Sequence, residues 1–128
     1  MELFRVTARL TGPTGGSEEV DLLVDSGATL LVVPRDLAER LGLVADREQP
    51  LELAGGAREA WPVAEVRLTF DGRQVTTPCF ISPSGPALFG AVALESLFLA
   101  VDPVRKRLVP VRGFVGAAPT SSFSLCKV

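Results

Sequence analysis

The sequence predicts a mostly β domain, a small closed β barrel or a partly closed one, with one or two short helices. Apolar and polar residues alternate in several short runs, and a period of two is typical of a half-buried strand. Twelve glycines and ten prolines, scattered over 128 residues, divide these runs into hairpins. The clearest helical pattern, residues 34–42, is little more than two turns long, so strands dominate the predicted fold.

The first part of the chain predicts a hairpin followed by a buried strand. Residues 4–10 alternate between apolar and polar types, and residues 20–24 return as a second strand. The turn at residues 11–17 contains glycines, but no Lys-Ser/Thr pair follows them and the next element is a strand and not a helix. This turn is therefore not a phosphate-binding loop. The aliphatic run from Thr29 to Val33 then predicts a buried strand.

The segment from Pro34 to Gly42 carries both the start and the stop signal of a helix. Proline suits the first helical turn, and a glycine after the last apolar residue suits the end. Leu37 and Leu41 are spaced i, i+4, which puts both on one face. We therefore expect a short amphipathic helix here.

The middle of the chain predicts two further hairpins. Residues 51–61 contain a strand, a tip at Gly55–Gly56 and a returning strand. Residues 63–70 and 74–81 flank an Asp-Gly pair at residues 71–72, which is a strong signal for a tight turn. Each hairpin adds two strands to the predicted sheet.

The last part predicts a strand end, a second short helix and a final hairpin. Residues 88–97 read as the strand end and helix, and residues 98–101 and 107–111 as the hairpin. From residue 116 onward the composition changes to Ala, Pro, Ser and Thr. We therefore expect one domain over residues 1–115 and a disordered tail over residues 116–128.

Charge and hydropathy limit the partners that this chain can take. The net charge is −2 and no basic stripe occurs, which argues against nucleic acid. The hydrophobic fraction of 47% and the mean hydropathy of +0.32 are high for a short domain, and surplus apolar surface often lies between subunits. The longest apolar stretch, residues 87–101, is interrupted and too short to span a bilayer.

Histidine is absent, which excludes Ser-His-Asp and Cys-His catalysis and removes the commonest metal ligand. The two cysteines, Cys79 and Cys126, lie far apart, which argues against a zinc site or a disulfide framework. We expect no metal and no cofactor. The N-terminal residues carry no signal-peptide core, so we expect a cytoplasmic protein that uses no membrane.

Asp25 is the residue whose setting most needs an explanation. It begins the triplet Asp25-Ser26-Gly27 between two runs of large aliphatic residues. An ionised carboxylate in such a setting is costly unless it is paired or hydrogen-bonded. The triplet has two interpretations. It could be a simple turn, since all three residues favour turns, or it could be a loop that presents an acid at the floor of a cleft. The aliphatic runs on both sides of the triplet favour the second interpretation, a loop that presents the Asp25 carboxylate in a cleft.

Three motifs follow one another along the chain: Val-Asp-Ser-Gly-Ala-Thr at residues 24–29, a glycine-tipped hairpin, and Leu88-Phe89-Gly90 before a short helix. This order of motifs resembles the retropepsin-like aspartic proteases, the single-domain relatives of pepsin that include retroviral proteases. The resemblance covers roughly residues 3–113. The turn Val101-Asp102-Pro103 is similar to that of bacterial and archaeal members.

This resemblance implies a role for each matching residue. Asp25 would be the catalytic carboxylate, Ser26 would brace the two active-site loops across a dimer axis, and Gly27 would keep the loop tight and leave room for substrate. The remaining implied site residues belong to the loop, the flap hairpin and the segment packed beneath the loop: Ala28 and Thr29; Gly55, Gly56 and Trp61; Leu88, Phe89 and Gly90.

The implied activity is that of an aspartic endopeptidase acting on peptides or unfolded proteins. Such chemistry needs two carboxylates, and the chain holds one Asp-Ser/Thr-Gly motif, so a homodimer would supply the second copy. The terminal strands, residues 4–10 and 108–111, are the candidates for the interface. The sequence departs from the family pattern at Phe89, where an aliphatic residue is common, and at Thr29, where retroviral members carry a second acid.

Two alternatives remain open at this point. The same fold could serve as a peptide-binding or dimerisation module that is catalytically weak or inactive. The chain could also be a monomer that becomes active only in a transient encounter or a larger assembly. The presence of Asp25 favours the enzyme over the binding module.

Overall fold

The structure, a computed structural model, describes residues 4–116. The tail expected over residues 116–128 therefore lies outside the described residues, apart from Gly116. The described part contains nine strands and two short helices. The strands are β1 (Arg5–Thr11), β2 (Ser17–Val24), β3 (Leu31–Pro34), β4 (Arg47–Glu52), β5 (Arg58–Phe70), β6 (Arg73–Ser82), β7 (Leu88–Phe89), β8 (Leu99–Asp102) and β9 (Arg107–Pro110). The helices are α1 (Arg35–Leu41) and α2 (Ala91–Ser96).

The strands form a ring, which confirms the predicted mostly β fold. Neighbouring strands follow the order β1-β2-β7-β3-β6-β5, and β5 pairs back onto β1 through the residues opposite Arg9–Thr11. Among the described strands, β4 pairs with β5 alone and extends the sheet beyond the ring. β8 and β9 form a separate two-stranded sheet. No helix in residues 4–116 is long and apolar enough to cross a membrane.

Two apolar clusters fill this architecture. The main core lies inside the ring and includes side chains with almost no exposed surface, among them Leu10, Leu22, Val33, Leu68 and Phe89. A smaller cluster of buried residues consists of Val32, Val63 and Phe80, with Leu30, Leu51, Trp61 and Leu88 packed against it. The smaller cluster lies between the ring and the β4–β5 hairpin, and it forms a wall of the cleft described below.

Helix α1 forms where the sequence predicts it, with one difference at its start. Pro34 is the residue before the first helical turn, in extended conformation, and not the first helical residue. Gly42 ends the helix with a φ of 71°, a left-handed conformation that glycine adopts without strain. Leu37 and Leu41 are both buried, as their spacing predicts.

Two strands have different limits from those the residue patterns predict. β3 begins at Leu31 and not at Thr29, because the carbonyl groups of residues 28 and 29 bond to a later segment of the chain. β5 runs without a break through Pro62, which joins two predicted strands into one of 13 residues. The ladder with β6 begins only at Val63, so Pro62 interrupts no bond to β6.

Candidate active site

The loop that carries Asp25 joins two strands that are not neighbours in the sheet. β7 lies between β2 and β3, parallel to β2 and antiparallel to β3. The connection at residues 25–30, here called the Asp25 loop, must therefore pass around the end of β7. This arrangement brings Leu88 and Phe89 directly beside the strand that leads to Asp25.

Three backbone hydrogen bonds hold the Asp25 loop against this later segment. The N–H of Asp25 donates to the carbonyl oxygen of Phe89 at 3.1 Å. The N–H of Ala91 donates to the carbonyl of Ala28 at 2.8 Å, and that of Val92 to the carbonyl of Thr29 at 2.9 Å. The first N–H groups of a helix have no acceptor within the helix itself. In α2 two of these N–H groups instead donate to carbonyl groups of the Asp25 loop, and these bonds hold the loop in place.

The Asp25 carboxylate is also oriented from within the loop. The N–H of Gly27 donates to its Oδ1 at 2.9 Å, and the N–H of Ala28 donates to the Asp25 carbonyl at 3.0 Å. The side chain is partly buried, whereas Ser26, Gly27 and Thr29 are exposed. The loop thus presents a carboxylate at the protein surface in a fixed orientation.

Gly90 allows this close packing beneath the loop. A Cβ added there would stand 2.2 Å from the carbonyl oxygen of Leu30 and 2.8 Å from that of Ala28. Phe89 next to it is fully buried in the main core, with its ring edge-on to Phe70 at a centroid distance of 5.9 Å. The downstream triplet therefore anchors the loop to the core on one side and contacts its backbone on the other.

A cleft of about 400 Å³ opens beside Asp25, between the Asp25 loop and the β4–β5 hairpin. This volume lies in the range typical of ligand sites. The cleft is lined by Asp25, Gly27, Ala28, Thr29, Val32, Pro50, Leu51, Glu52, Leu53, Ala54, Trp61, Phe80 and Leu88. The charged members of this set are both acidic, Asp25 and Glu52, and the remaining side chains are mostly apolar.

The β4–β5 hairpin overhangs the cleft and ends in two glycines. Gly55 and Gly56 both have a φ of 95°, where other residues would be strained. The turn is closed by the N–H of Leu53 donating to Ala57 at 2.7 Å and that of Gly56 donating to Leu53 at 2.9 Å. The tip glycines themselves do not line the cleft.

The structure brings together about half of the site residues that the sequence predicts. Asp25, Gly27, Ala28, Thr29, Trp61 and Leu88 line the cleft, and Ser26, Gly55, Gly56, Phe89 and Gly90 do not. Sequence reasoning missed Val32, Leu51 and Phe80 as cleft residues. Their apolar side chains predict burial in strands, but no feature of the neighbouring sequence distinguishes a residue of the cleft wall from a residue of the core.

The described residues contain no group of side chains with the makeup of a metal site. Cys79 is fully buried in the main core, and burial raises the pKa of its thiol to about 12. The thiol is therefore neutral at physiological pH, and Cys79 is not among the residues that line the cleft.

Comparisons with known proteins agree with this geometry. A family model described as aspartyl protease matches residues 6–93. The fold is similar to that of EIAV protease complexed with the inhibitor HBY-793, with 18% identity over 73% of this chain and 86% of that one, and a TM-score of 0.60. It is also similar to the solution structure of simian foamy virus (mac) protease, with 20% identity over 73% of this chain and 94% of that one, and a TM-score of 0.53. No curated protein matches the sequence.

Proposed function

The chain belongs to the aspartyl protease family, and on this basis we propose that it is an aspartic endopeptidase that hydrolyses peptide bonds as a homodimer. The observation that carries the proposal is the Asp25 carboxylate, held in a fixed orientation by Gly27 at the edge of an apolar cleft. The hydrogen bonds from α2 and β7 support a rigid presentation of this acid. A preorganised carboxylate next to a peptide-sized cleft is what acid–base hydrolysis requires.

The proposed reaction uses two copies of Asp25 and one water molecule between them. Two like charges at such short range repel, so one carboxylate keeps a proton while the other is ionised, as is general for aspartic proteases. The ionised group takes a proton from the water as it attacks the carbonyl carbon, and the protonated group donates to the carbonyl oxygen. The pair acts as a unit, so neither role belongs to one subunit.

Three other carboxylates of the described chain already have partners of their own. Glu52 lines the cleft, but it lies on the β4–β5 hairpin, 3.8 Å from the guanidinium of Arg58. Asp21 accepts a hydrogen bond from Thr7, and Asp102 accepts two from the turn between β8 and β9. A two-fold axis beside the Asp25 loop would supply the missing carboxylate without any further motif.

The exposed apolar surface near the end of the described chain supports a dimer. Phe98, Val104 and Phe114 expose 50%, 88% and 89% of their surface, around the hairpin of β8 and β9. β9 pairs only with β8, so its other edge has no strand beside it within residues 4–116. β1 pairs with β2 along its whole length, and it pairs with β5 only over Arg9–Thr11. Both terminal segments named from the sequence thus keep an edge that a partner could use.

Substrate would lie extended in the cleft beneath the β4–β5 hairpin, which acts as the flap. The wall of Val32, Leu51 and Phe80 favours peptides with apolar side chains. Folded proteins rarely expose such side chains on extended segments, so flexible or unfolded segments are the substrates that we expect.

Cleavage of a diverse peptide mixture, read by mass spectrometry from about pH 4 to 7, tests the proposal. We expect defined cuts from the wild-type protein and none from Asp25→Asn, which keeps the size of the side chain and removes its acidity. Asp71→Asn is the matched control, because Asp71 lies in the turn between β5 and β6 at a φ of 51°, which asparagine also tolerates.

Sedimentation across a dilution series of the same protein tests the dimer. We expect activity per chain to fall with the dimer fraction. Cuts that persist in Asp25→Asn would contradict the proposed chemistry. Peptide binding by the wild-type dimer without any cut would identify a binding module in place of an enzyme.

A further inference from the structure

The apolar wall of the cleft is a separate packing unit with one large ring at its edge. Its buried members are Val32, Val63 and Phe80, and Trp61 packs against them from the β4–β5 hairpin. Trp61 is partly buried and lines the cleft, so part of its ring faces the space where a substrate side chain would lie. The width of the apolar part of the cleft therefore depends on where this ring stands.

Two contacts fix the position of the Trp61 ring. It stands edge-on to Phe80, with centroids 6.0 Å apart and an interplanar angle of 85°, a favourable aromatic geometry. Its indole N–H donates to Oε1 of Glu59 at 2.8 Å. Glu59 precedes Trp61 by two positions in β5, so both side chains lie on the same face of the strand.

Within residues 4–116, the hydrogen bond recorded for the Glu59 carboxylate is the one that it accepts from this indole. Glu59 is exposed and pairs across the hairpin with Leu51, which itself lines the cleft. Because Glu59 is exposed, its ionised carboxylate carries no desolvation penalty on the cleft-facing side of the hairpin. The hydrogen bond that it accepts from the indole restricts the Trp61 ring to one orientation. The pair thus ties the hairpin to the wall formed by Phe80.

We propose that Trp61 sets the size limit of the apolar subsite and that Glu59 is the positioning residue that keeps its ring against Phe80. The ligand class is an extended peptide with an aliphatic side chain at the position that enters this subsite. This inference rests on the proposed function, because it names the substrate preference of the same cleft.

The first test compares cleavage of matched peptides that carry Val, Leu or Phe at the position entering the subsite. Replacing Trp61 by Leu widens the wall, so we expect the ratio of kcat/KM for Phe over Val peptides to rise by about tenfold. The change should appear mainly in KM, because the ring contacts bound substrate and not the reacting atoms. A ratio that stays within about twofold of the wild-type ratio would overturn the inference.

Variants of Glu59 separate positioning from a general structural role. Glu59→Ala removes the acceptor, so we expect it to relax the size preference in the same direction as Trp61→Leu. Glu59→Gln keeps a carbonyl acceptor for the indole and should preserve the wild-type preference. Glu48→Ala is the matched control, since Glu48 is exposed on β4 and pairs with Pro62, on the opposite face of the hairpin. Equal effects of Glu59→Ala and Glu48→Ala would overturn the role of Glu59.

A second readout does not depend on catalysis. Trp61 is the single tryptophan of the sequence, so its fluorescence reports directly on the cleft. In the Asp25→Asn protein, titration with the Leu peptide should give a saturable shift of the emission to shorter wavelength, because bound substrate displaces water from the ring. If the wild-type protein cleaves no peptide, the proposed function fails, and the affinities of the Val, Leu and Phe peptides in this titration, measured with and without Glu59→Ala, then decide the inference. Cleavage by the wild type with no fluorescence change in the variant would overturn the inference while the proposed function stands.

Discussion

Replacing Gly90 by alanine is the most direct test of how the Asp25 loop is supported. Gly90 has a φ of −91° and a ψ of 179°, an extended conformation that any residue adopts. The obstacle is space alone, since the new Cβ would stand 2.2 Å from the oxygen and 2.6 Å from the carbon of the Leu30 carbonyl. These are backbone atoms, so the loop as a whole has to move.

The structure sets the size of the expected effect. Forcing an extra methyl group into a packed site costs about 1–3 kcal/mol. The hydrogen bonds from Ala91 to Ala28 and from Val92 to Thr29 lie directly beside the clash, and losing them adds about 1 kcal/mol each. We therefore expect Gly90→Ala to lower the free energy of unfolding by about 3–5 kcal/mol, a large part of the roughly 5–15 kcal/mol of a typical domain.

Urea denaturation of the wild type and two variants measures this loss. Gly16→Ala is the control, because a Cβ at Gly16 would meet nothing within 4 Å, and alanine there should leave stability unchanged or raise it slightly. Peptide cleavage by Gly90→Ala should fall at temperatures where the variant remains folded, since the loop carrying Asp25 is displaced. If the two alanine variants differ by less than about 0.5 kcal/mol, the loop is not held by this contact and the reasoning is wrong.

Two further predictions concern titrating groups. Burial raises the pKa of the Cys79 thiol to about 12, so the contribution of this thiol to stability is complete below the unfolded pKa of about 8.5 and is lost as the pH rises toward 12. In urea denaturation, the stability of the wild type should therefore fall more steeply over this pH range than that of Cys79→Val, by at most about 1.4 kcal/mol per pH unit. Equal slopes for the two proteins would contradict this prediction. The hydrogen bond from Arg40 holds the pKa of the Glu18 carboxyl below its usual range, so Arg40→Gln should return this pKa toward that range in an NMR titration. The contribution of the Arg40–Glu18 pair to the free energy of unfolding should be lost as the pH falls through the lowered pKa. An unchanged Glu18 titration would show that the pair does not persist in solution.

Local signals in the sequence predict the elements whose shape depends on local chemistry. The end of α1 follows from Gly42, which adopts the left-handed conformation that stops a helix. The turn between β5 and β6 follows from Asp71 and Gly72, whose φ values of 51° and 77° are those of a tight hairpin turn. The retropepsin-like resemblance likewise named the Asp25 loop and the segment that contacts it.

Features that depend on distant contacts do not follow from these local signals. Thr29 lies in an aliphatic run that favours a strand, yet its carbonyl bonds to Val92 and it remains in the loop. Phe80 has the pattern of a core residue, and only its place opposite the β4–β5 hairpin puts it in the cleft. Glu59 could have been found from its i, i+2 spacing to Trp61, but the spacing alone does not say that the two side chains bond.

The threading of β7 between β2 and β3 has a consequence for the order in which the protein folds. Every backbone bond from outside the Asp25 loop that is described above comes from residues 89–92, far downstream in the chain. A ribosome releases the Asp25 loop well before that segment, and pairing over such a long separation is slow to form. We expect the loop to reach its final shape only after most of the chain has been synthesised. A growing chain would then carry Asp25 for some time without the hydrogen bonds that hold its loop in place.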